Sequence, residues 1–388
     1  MFGPSMDRIP CTWRLPPRLV PHSRAPLEHH SPSGGWSAES RVQAHLARFT
    51  SAPLALAATR GARSRWDRAR KLWRSAVSLA ELDQEDPGRS ALRGEWDTGS
   101  GSSLFDEQSP FSGRVQVTGC GASSGGSWRR LRFNGQTEQS VLLLDANGIP
   151  RHEALAFGYL KSLAAMGSAT LRSLGVQKPW RVLLLGVGLG ALPGWFRKAQ
   201  AKVTAIDLDP VVLRAAQVVG QMPGAVQGLE ACLKDAEADT DALRVYCCDG
   251  VEFVKAASNE VRYDLLVMDV FDGQGETPEA FLTEDFGQAC ASVATCCVVN
   301  LTCPVPMWED AHHFNAPSAG KLADAFQLGF QSKAWSVRVA EGQNLILCAT
   351  RYGAPPELYL ANAAEELASE GLFAFDPVRR VGFRRQEW

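Results

Sequence analysis

Between Phe111 and Thr350 short apolar runs alternate with stretches of helical spacing, and that alternation predicts the architecture. Gly113 to Thr118 alternates apolar and polar positions, Gly119 to Gly126 reads as a turn, and Trp128 to Phe133 and Val141 to Leu144 follow as short strands. Ala154 to Leu174 carries apolar residues at helical spacing, with Gly175 as its stop. Beyond Pro179, strands are expected at 181–186, 202–207, 243–248, 263–270 and 297–301, and helices at 191–200, 210–219, 251–257, 278–293 and 319–328. Two further strands, Ser336 to Val339 and Leu345 to Thr350, are joined by Ala340-Glu341-Gly342-Gln343 alone. That link is too short for a helical crossover, so the last pair must be antiparallel. The expected fold class is therefore α/β: a Rossmann-like, seven-stranded, doubly wound sheet preceded by a small β element. Gly220 to Ala242 is a long connection to which the pattern assigns no role.

Composition changes the picture mainly at the start of the chain. Residues 1–110 are rich in Pro, Ser, Gly and Arg and read as a low-complexity, disordered extension, with a short basic helix open at Arg60 to Arg74. Residues 1–80 hold thirteen Lys or Arg against four acids, so a plastid or mitochondrial transit peptide is the alternative to a cytoplasmic chain. The expected units are residues 1–110, a small β element and helix over 111–178, the main sheet over 179–355, and a C-terminal helix and tail over 356–388. A net charge of −2 gives no electrostatic case for nucleic acid or an anionic membrane, and no run of 18 apolar residues predicts a span. The ten cysteines form no C-x-x-C pair, so a metal site is not expected; Cys247-Cys248 and Cys296-Cys297 read as reduced, buried thiols of an intracellular chain. His312-His313 lacks ligands at helical spacing and reads as a loop pair, while Trp180, Trp195 and Trp308 read as packing or rim residues.

Four strand ends carry candidate chemistry. Gly186, Gly188 and Gly190 lie between a strand and a helix, where glycine lets the backbone turn sharply and come close to a ligand. Asp207 ends the second strand, where a carboxylate can accept both ribose hydroxyls of a nucleoside, whereas Asp209 before Pro210 reads as a helix N-cap. Asp249-Gly250 follows the third strand, where the acid can meet an adenine amine, cap the next helix, or do both. Asp269 and Asp272 follow the fourth strand and are the candidate catalytic acids, able to orient an amine acceptor and take up its proton. Glu153 and Tyr159 could approach from the preceding helix, although surface and core roles suit them better.

From Trp128 to Thr350 the chain resembles the spermidine-synthase-like branch of class I S-adenosylmethionine-dependent methyltransferases, and within it the enzymes that methylate elongation factor 1-alpha. The resemblance rests on Arg129-Arg130-Leu131-Arg132-Phe133 through Glu138-Gln139-Ser140, Val182 to Leu192, Thr204 to Pro210, Asp249-Gly250, Tyr263 to Gly273, Phe281 to Phe286 and Val298-Val299-Asn300-Leu301, in that order. It implies that Gly186, Gly188 and Gly190 line the methionine part of S-adenosylmethionine, that Asp207 holds the ribose and Asp249 and Gly250 the adenine, and that Asp269 is the catalytic acid. Three departures weigh against polyamine biosynthesis: Leu189 stands where spermidine synthases carry Asp, Val270-Phe271 with Gly273 replaces their second-loop signature, and Gly158-Tyr159-Leu160 replaces Tyr-His-Glu. The implied activity is methyl transfer to an amine on a protein or small molecule. Aminopropyl transfer from decarboxylated S-adenosylmethionine is the first alternative, and a catalytically silent binding or dimerisation module the second. A homodimer is compatible with all three.

Overall fold

Four of the five residues of Arg181–Leu185 are buried, and they divide alternately between two hydrophobic layers: Val182 and Leu184 join one, Leu183 and Leu185 the other. A strand that is apolar on both faces belongs inside a sheet covered on both sides. The computed structural model describes residues 101–121, 126–135, 137–237, 243–257, 262–272, 275–302, 317–339, 344–382 and 386–387. The expected extension over 1–100, the basic helix within it, Trp308 and the His312-His313 pair lie outside the described residues.

The small β element is a four-stranded antiparallel meander: β1 (Ser102–Ser109), β2 (Gly113–Gly121), β3 (Ser127–Phe133) and β4 (Thr137–Leu144). Here the structure corrects the sequence reading, which placed residues through 110 in a disordered extension. Polar composition hid β1, whose sequence SSLFDEQS buries only Ser109. Pairing supplies what composition does not show: a ladder with β2, and Asp106 accepting from Arg114 at 2.6 Å and from Gln116. The meander is not a free-standing unit, because Val115, Val117, Leu131, Leu142 and Leu144 pack into the core of the main sheet.

The main sheet is built from β5 (Arg181–Leu185), β6 (Lys202–Asp207), β7 (Val226–Gln227), β8 (Arg244–Cys247), β9 (Tyr263–Met268), β10 (Ala294–Thr302), β11 (Trp335–Arg338), β12 (Asn344–Thr350) and β13 (Gln386–Glu387). Their order is β13-β11-β12-β10-β9-β5-β6-β8-β7. β5 pairs in parallel with β6 on one side and β9 on the other, so the winding reverses there. The terminal hairpin is antiparallel as expected, with Val337 opposite Ile346. Among the described residues nine strands stand where seven were expected. The two extra ones, β7 and β13, are two-residue edge strands too short to leave a period in the sequence, and β7 belongs to the unassigned connection.

One face carries α1 (Gly158–Ser173), α2 (Ala191–Lys198), α3 (Pro210–Val218), α8 (Glu357–Ser369) and the short α9 (Val378–Val381); the other carries α4 (Leu229–Glu237), α5 (Gly250–Ala257), α6 (Glu284–Val293) and α7 (Pro317–Phe330). The single helix expected over 278–293 is a 3-10 turn, Glu279–Leu282, followed by α6. Thr283 separates them by accepting from the Phe286 N–H at 3.2 Å as an N-cap. Among the described residues no helix is long and apolar enough to cross a membrane.

A buried hydrogen bond helps to tie the meander to the main sheet. The Ser109 hydroxyl donates to the buried Asp209 carboxylate at 2.6 Å, while Asp209 accepts from Val211 N–H and so caps α3. Ser109 Oγ in turn accepts from the N–H groups of Phe111 and Ser112. Ser109→Ala strips a donor from a buried carboxylate and is expected to destabilise the fold by about 1–3 kcal/mol. An unchanged urea midpoint would contradict this.

Candidate functional site

Of the residues expected to bind the donor or act in catalysis, all but Gly190 meet at the C-terminal tips of the parallel strands, where open α/β sheets place their ligands. They line a cavity of about 660 Å3 that contains Gly186, Gly188, Asp207, Asp249, Gly250, Asp269 and Asp272. The size suits a nucleoside-bearing ligand. Gly190 is the exception. It is the N-cap of α2 with φ +86°, and a Cβ there would lie 2.3 Å from the Met222 sulfur, so it packs beneath the turn and does not line the cavity.

The floor follows from backbone geometry. Gly186, at φ +93°, leaves β5 so tightly against the next loop that a Cβ would sit 2.2 Å from the Asp269 carbonyl oxygen. Gly186→Ala is expected to cost about 1–3 kcal/mol and to displace Asp269, because both the positive φ and the contact resist a side chain. Denaturation midpoints together with donor titration check this.

Asp207 is braced by two backbone donors. Val187 N–H reaches Oδ2 and Asp209 N–H reaches Oδ1, each at 3.0 Å. Burial pushes its carboxyl up to about 6, against the lowering effect of those donors. A carboxylate accepts about four hydrogen bonds, so capacity remains for a vicinal diol. This fits a ribose. Asp249 caps α5 through Oδ1, accepting from Val251 N–H at 2.8 Å and Glu252 N–H at 3.2 Å, and Oδ2 takes no part in the cap. Capping and ligand contact are therefore compatible, as the sequence suggested.

The two candidate catalytic acids differ. Asp269 begins the loop after β9, its N–H bonded to the Leu185 carbonyl at 2.9 Å, and burial pushes its carboxyl up to about 6. Its Oδ1 accepts from Asn300 Nδ2 at 2.8 Å, and Asn300 Oδ1 accepts from Asn344 Nδ2 at 3.0 Å. Asp272 is exposed, and its Oδ1 accepts from Glu276 N–H at 3.0 Å, which closes the 272–276 loop at the cavity mouth. Asp272 thus closes its own loop, whereas Asp269 lies in the cavity wall and is held by Asn300.

Some residues surfaced only in three dimensions. Ser140 accepts from Leu189 N–H at 3.1 Å and braces the glycine turn from the meander. Tyr159 lines the cavity and donates to the Gln139 carbonyl at 3.2 Å; burial, aided by the Asp269 charge, pushes its phenol well up. Tyr159 also packs against the buried core, so the core role expected of it and a place at the cavity hold together. Glu153 sits outside, paired with Lys198 at 2.6 Å and Arg151 at 3.1 Å. Trp180 and Trp195 are buried and do not line the cavity. Asn300 had a sequence signal: an amide within the apolar run Val298-Val299-Asn300-Leu301 must have a partner once buried. Six acids line the cavity, Glu138, Asp207, Asp209, Asp249, Asp269 and Asp272, and among the described lining residues there is no Lys, Arg or His. The described residues contain no group of three or more His, Cys, Asp or Glu placed to hold a metal ion.

No protein-family model matches the chain. It is 25% identical over 209 residues to the eEF1A lysine and N-terminal methyltransferase homolog of Drosophila pseudoobscura pseudoobscura, covering 49% of this chain and 29% of that protein. It is 26% identical over 206 residues to the protein of the same name from Drosophila melanogaster, covering 48% and 28%. The chain thus spans less than a third of the length of these relatives. Among solved structures, a probable spermidine synthase from Corynebacterium glutamicum aligns with a TM-score of 0.49 at 17% identity, covering 75% of this chain and 91% of that one. Human methyltransferase-like protein 13 in complex with SAH aligns at 0.40 and 20%, covering 54% and 88%. Over about half of its length the chain therefore resembles eEF1A lysine and N-terminal methyltransferase homologs.

Proposed function

We propose that this protein is a transferase that binds S-adenosylmethionine and methylates an amine. The observation that carries the reading is the cavity at the point where the sheet reverses its winding: its described lining holds six acids, one of which, Glu138, pairs with Arg130 and Arg132, and no Lys, Arg or His. A sulfonium donor and an amine acceptor are both cationic in their resting forms, and such a lining favours both.

Bound there, S-adenosylmethionine supplies an electrophilic methyl group on a sulfonium that is already a good leaving group. The chain therefore has to orient the reactants and manage one proton. Asp207 would hold the ribose hydroxyls, the backbone from Gly186 to Gly188 would face the donor, and Asp249 would offer its uncommitted Oδ2 to the adenine. Asp269 accepts the proton that an ammonium acceptor must lose before its nitrogen lone pair can attack. A carboxyl at about 6 is a better base than an ordinary Asp and is still ionised at neutral pH.

The curated relatives, named as eEF1A lysine and N-terminal methyltransferase homologs, support a protein acceptor, a lysine or an N-terminal amine of elongation factor 1-alpha. Incubating the full chain with labelled S-adenosylmethionine and that factor, followed by peptide mass spectrometry, tests this. A methylated amine with release of S-adenosylhomocysteine is expected. Label transfer to putrescine from the decarboxylated donor, with thioadenosine release, would replace this reading by aminopropyl transfer. No donor binding by calorimetry would leave a silent module.

A further inference from the structure

Two amides next to Asp269 form a chain whose geometry is directional. Asn344 opens β12 and Asn300 lies fully buried near the end of β10; the two strands pair antiparallel, with Leu301 opposite Leu345. The Asn344 NH2 faces the Asn300 oxygen at 3.0 Å, and the Asn300 NH2 faces Asp269 Oδ1 at 2.8 Å. Both asparagines border the cavity together with Asp269. A primary amide has a donor end and an acceptor end, so the orientation of one fixes that of the next.

We propose that Asn344 and Asn300 form a polarised amide relay that positions Asp269, pinning Oδ1 with an N–H and leaving Oδ2 for the incoming group. That Oδ2 serves an amine rests on the function proposed above; the relay does not. With an N–H aimed at it, Oδ1 is an acceptor and the ionised carboxylate is favoured. Reversing both amides would aim the Asn300 oxygen at Asp269, which is tolerable only if the carboxyl carries a proton. The relay therefore has two polarities, and each belongs to one protonation state of Asp269. The Asn300 bond lowers the carboxyl while burial raises it. The other titratable group facing it is Tyr159 from α1. Asp272 follows in the same loop, Asp207 and Asp249 stand on neighbouring strand tips, and Glu138 on β4. None of these described groups is a cation, and the nearby Arg130 and Arg132 pair with Glu138, so among the described residues the Asn300 N–H is the contact that stabilises the Asp269 carboxylate.

The test is a carboxyl titration of the full-length chain by carbon-13 NMR with labelled aspartate, in which the Asp269 signal is the one lost in Asp269→Asn. The midpoint is expected near 6 in the parent chain. Asn300→Leu should raise it by about one unit, and Asn344→Leu by less. Asn344→Asp presents only acceptors, so it should reverse the relay and raise the midpoint by about one unit as well. In the double variant Asn300→Leu with Asn344→Asp, only the direct field of the added charge should remain, and the part of the shift that reversal of the Asn300 amide transmits should vanish. A merely structural role for Asn300 would leave the titration where it is. Unmoved midpoints in folded variants, or additive effects in the double variant, would overturn the relay. If Asn300→Leu does not fold, the difference between Asn344→Asp and Asn344→Leu decides: equal shifts overturn the relay. Calorimetry with S-adenosylmethionine on the same samples is independent. Shifted midpoints without donor binding would keep the relay and remove the proposed function.

Discussion

Asp269→Asn is expected to slow group transfer by about 10²–10⁴-fold while leaving S-adenosylmethionine affinity within about threefold of the parent. The expectation follows from position. Asp269 lies in the cavity wall at the tip of β9, away from Asp207 at the tip of β6, and its carboxylate is the group suited to receive the acceptor's proton. The pH profile should follow from the same residue. Its carboxyl sits at about 6, so turnover should fall as the pH drops through 6 and should not respond near the ordinary Asp value of about 4. Stability should move the opposite way. A carboxyl raised on folding prefers the neutral form, so its burial costs nothing below about pH 4 and costs about 2–3 kcal/mol above pH 6. Asp269→Asn should therefore raise the melting temperature at pH 7.5 while it abolishes transfer. A variant that is inactive and also less stable at pH 7.5 would mean that Asp269 is a structural residue.

Asp207→Asn is expected to weaken S-adenosylmethionine binding on the order of 10²-fold, the loss that follows when charge-assisted hydrogen bonds worth about 1.5–3 kcal/mol are removed. Asn keeps the volume and can still accept one backbone N–H, so the glycine turn should survive and the loss should appear in affinity. The pH dependence gives a second reading of the same contact. Free Asp207 titrates near 6 because it is buried. A bound diol would donate to it and pull that value down, so affinity should decline as pH falls through 6, with a proton released on binding near that pH. Calorimetry in two buffers of different ionisation enthalpy measures the release. Equal affinity for S-adenosylmethionine in Asp207→Asn and the parent would place the ribose elsewhere.

Legibility divided along physical lines. Whatever depends on one residue and its neighbours in sequence could be read from the chain. Apolar five- and six-residue runs such as Arg181–Leu185 and Tyr263–Met268 are strands because burial on both faces demands it, and the acids just beyond them must therefore stand at the sheet edge. The cap at Asp209 and the antiparallel hairpin belong to the same class, fixed by side-chain chemistry and loop length. What needed the folded chain involves partners distant in sequence. β1 is a strand because β2 pairs with it and because Ser109 meets Asp209 a hundred residues on. The two-residue edge strands β7 and β13 carry no period at all.

The site divides in the same way. The sequence by itself determined that glycines and carboxylates occupy successive strand tips, because local composition fixes the strands and the strands fix their ends. Only the tertiary structure decided what each carboxylate does. Asp272 is drawn into its own loop by Glu276, Asp269 is gripped by Asn300 from one strand and, through it, by Asn344 from another, and Gly190 turns to Met222 and away from the cavity. The physical reason is range. Backbone preference acts over a few residues, whereas the hydrogen-bond partner and burial that set a carboxylate's protonation come from wherever the fold brings them.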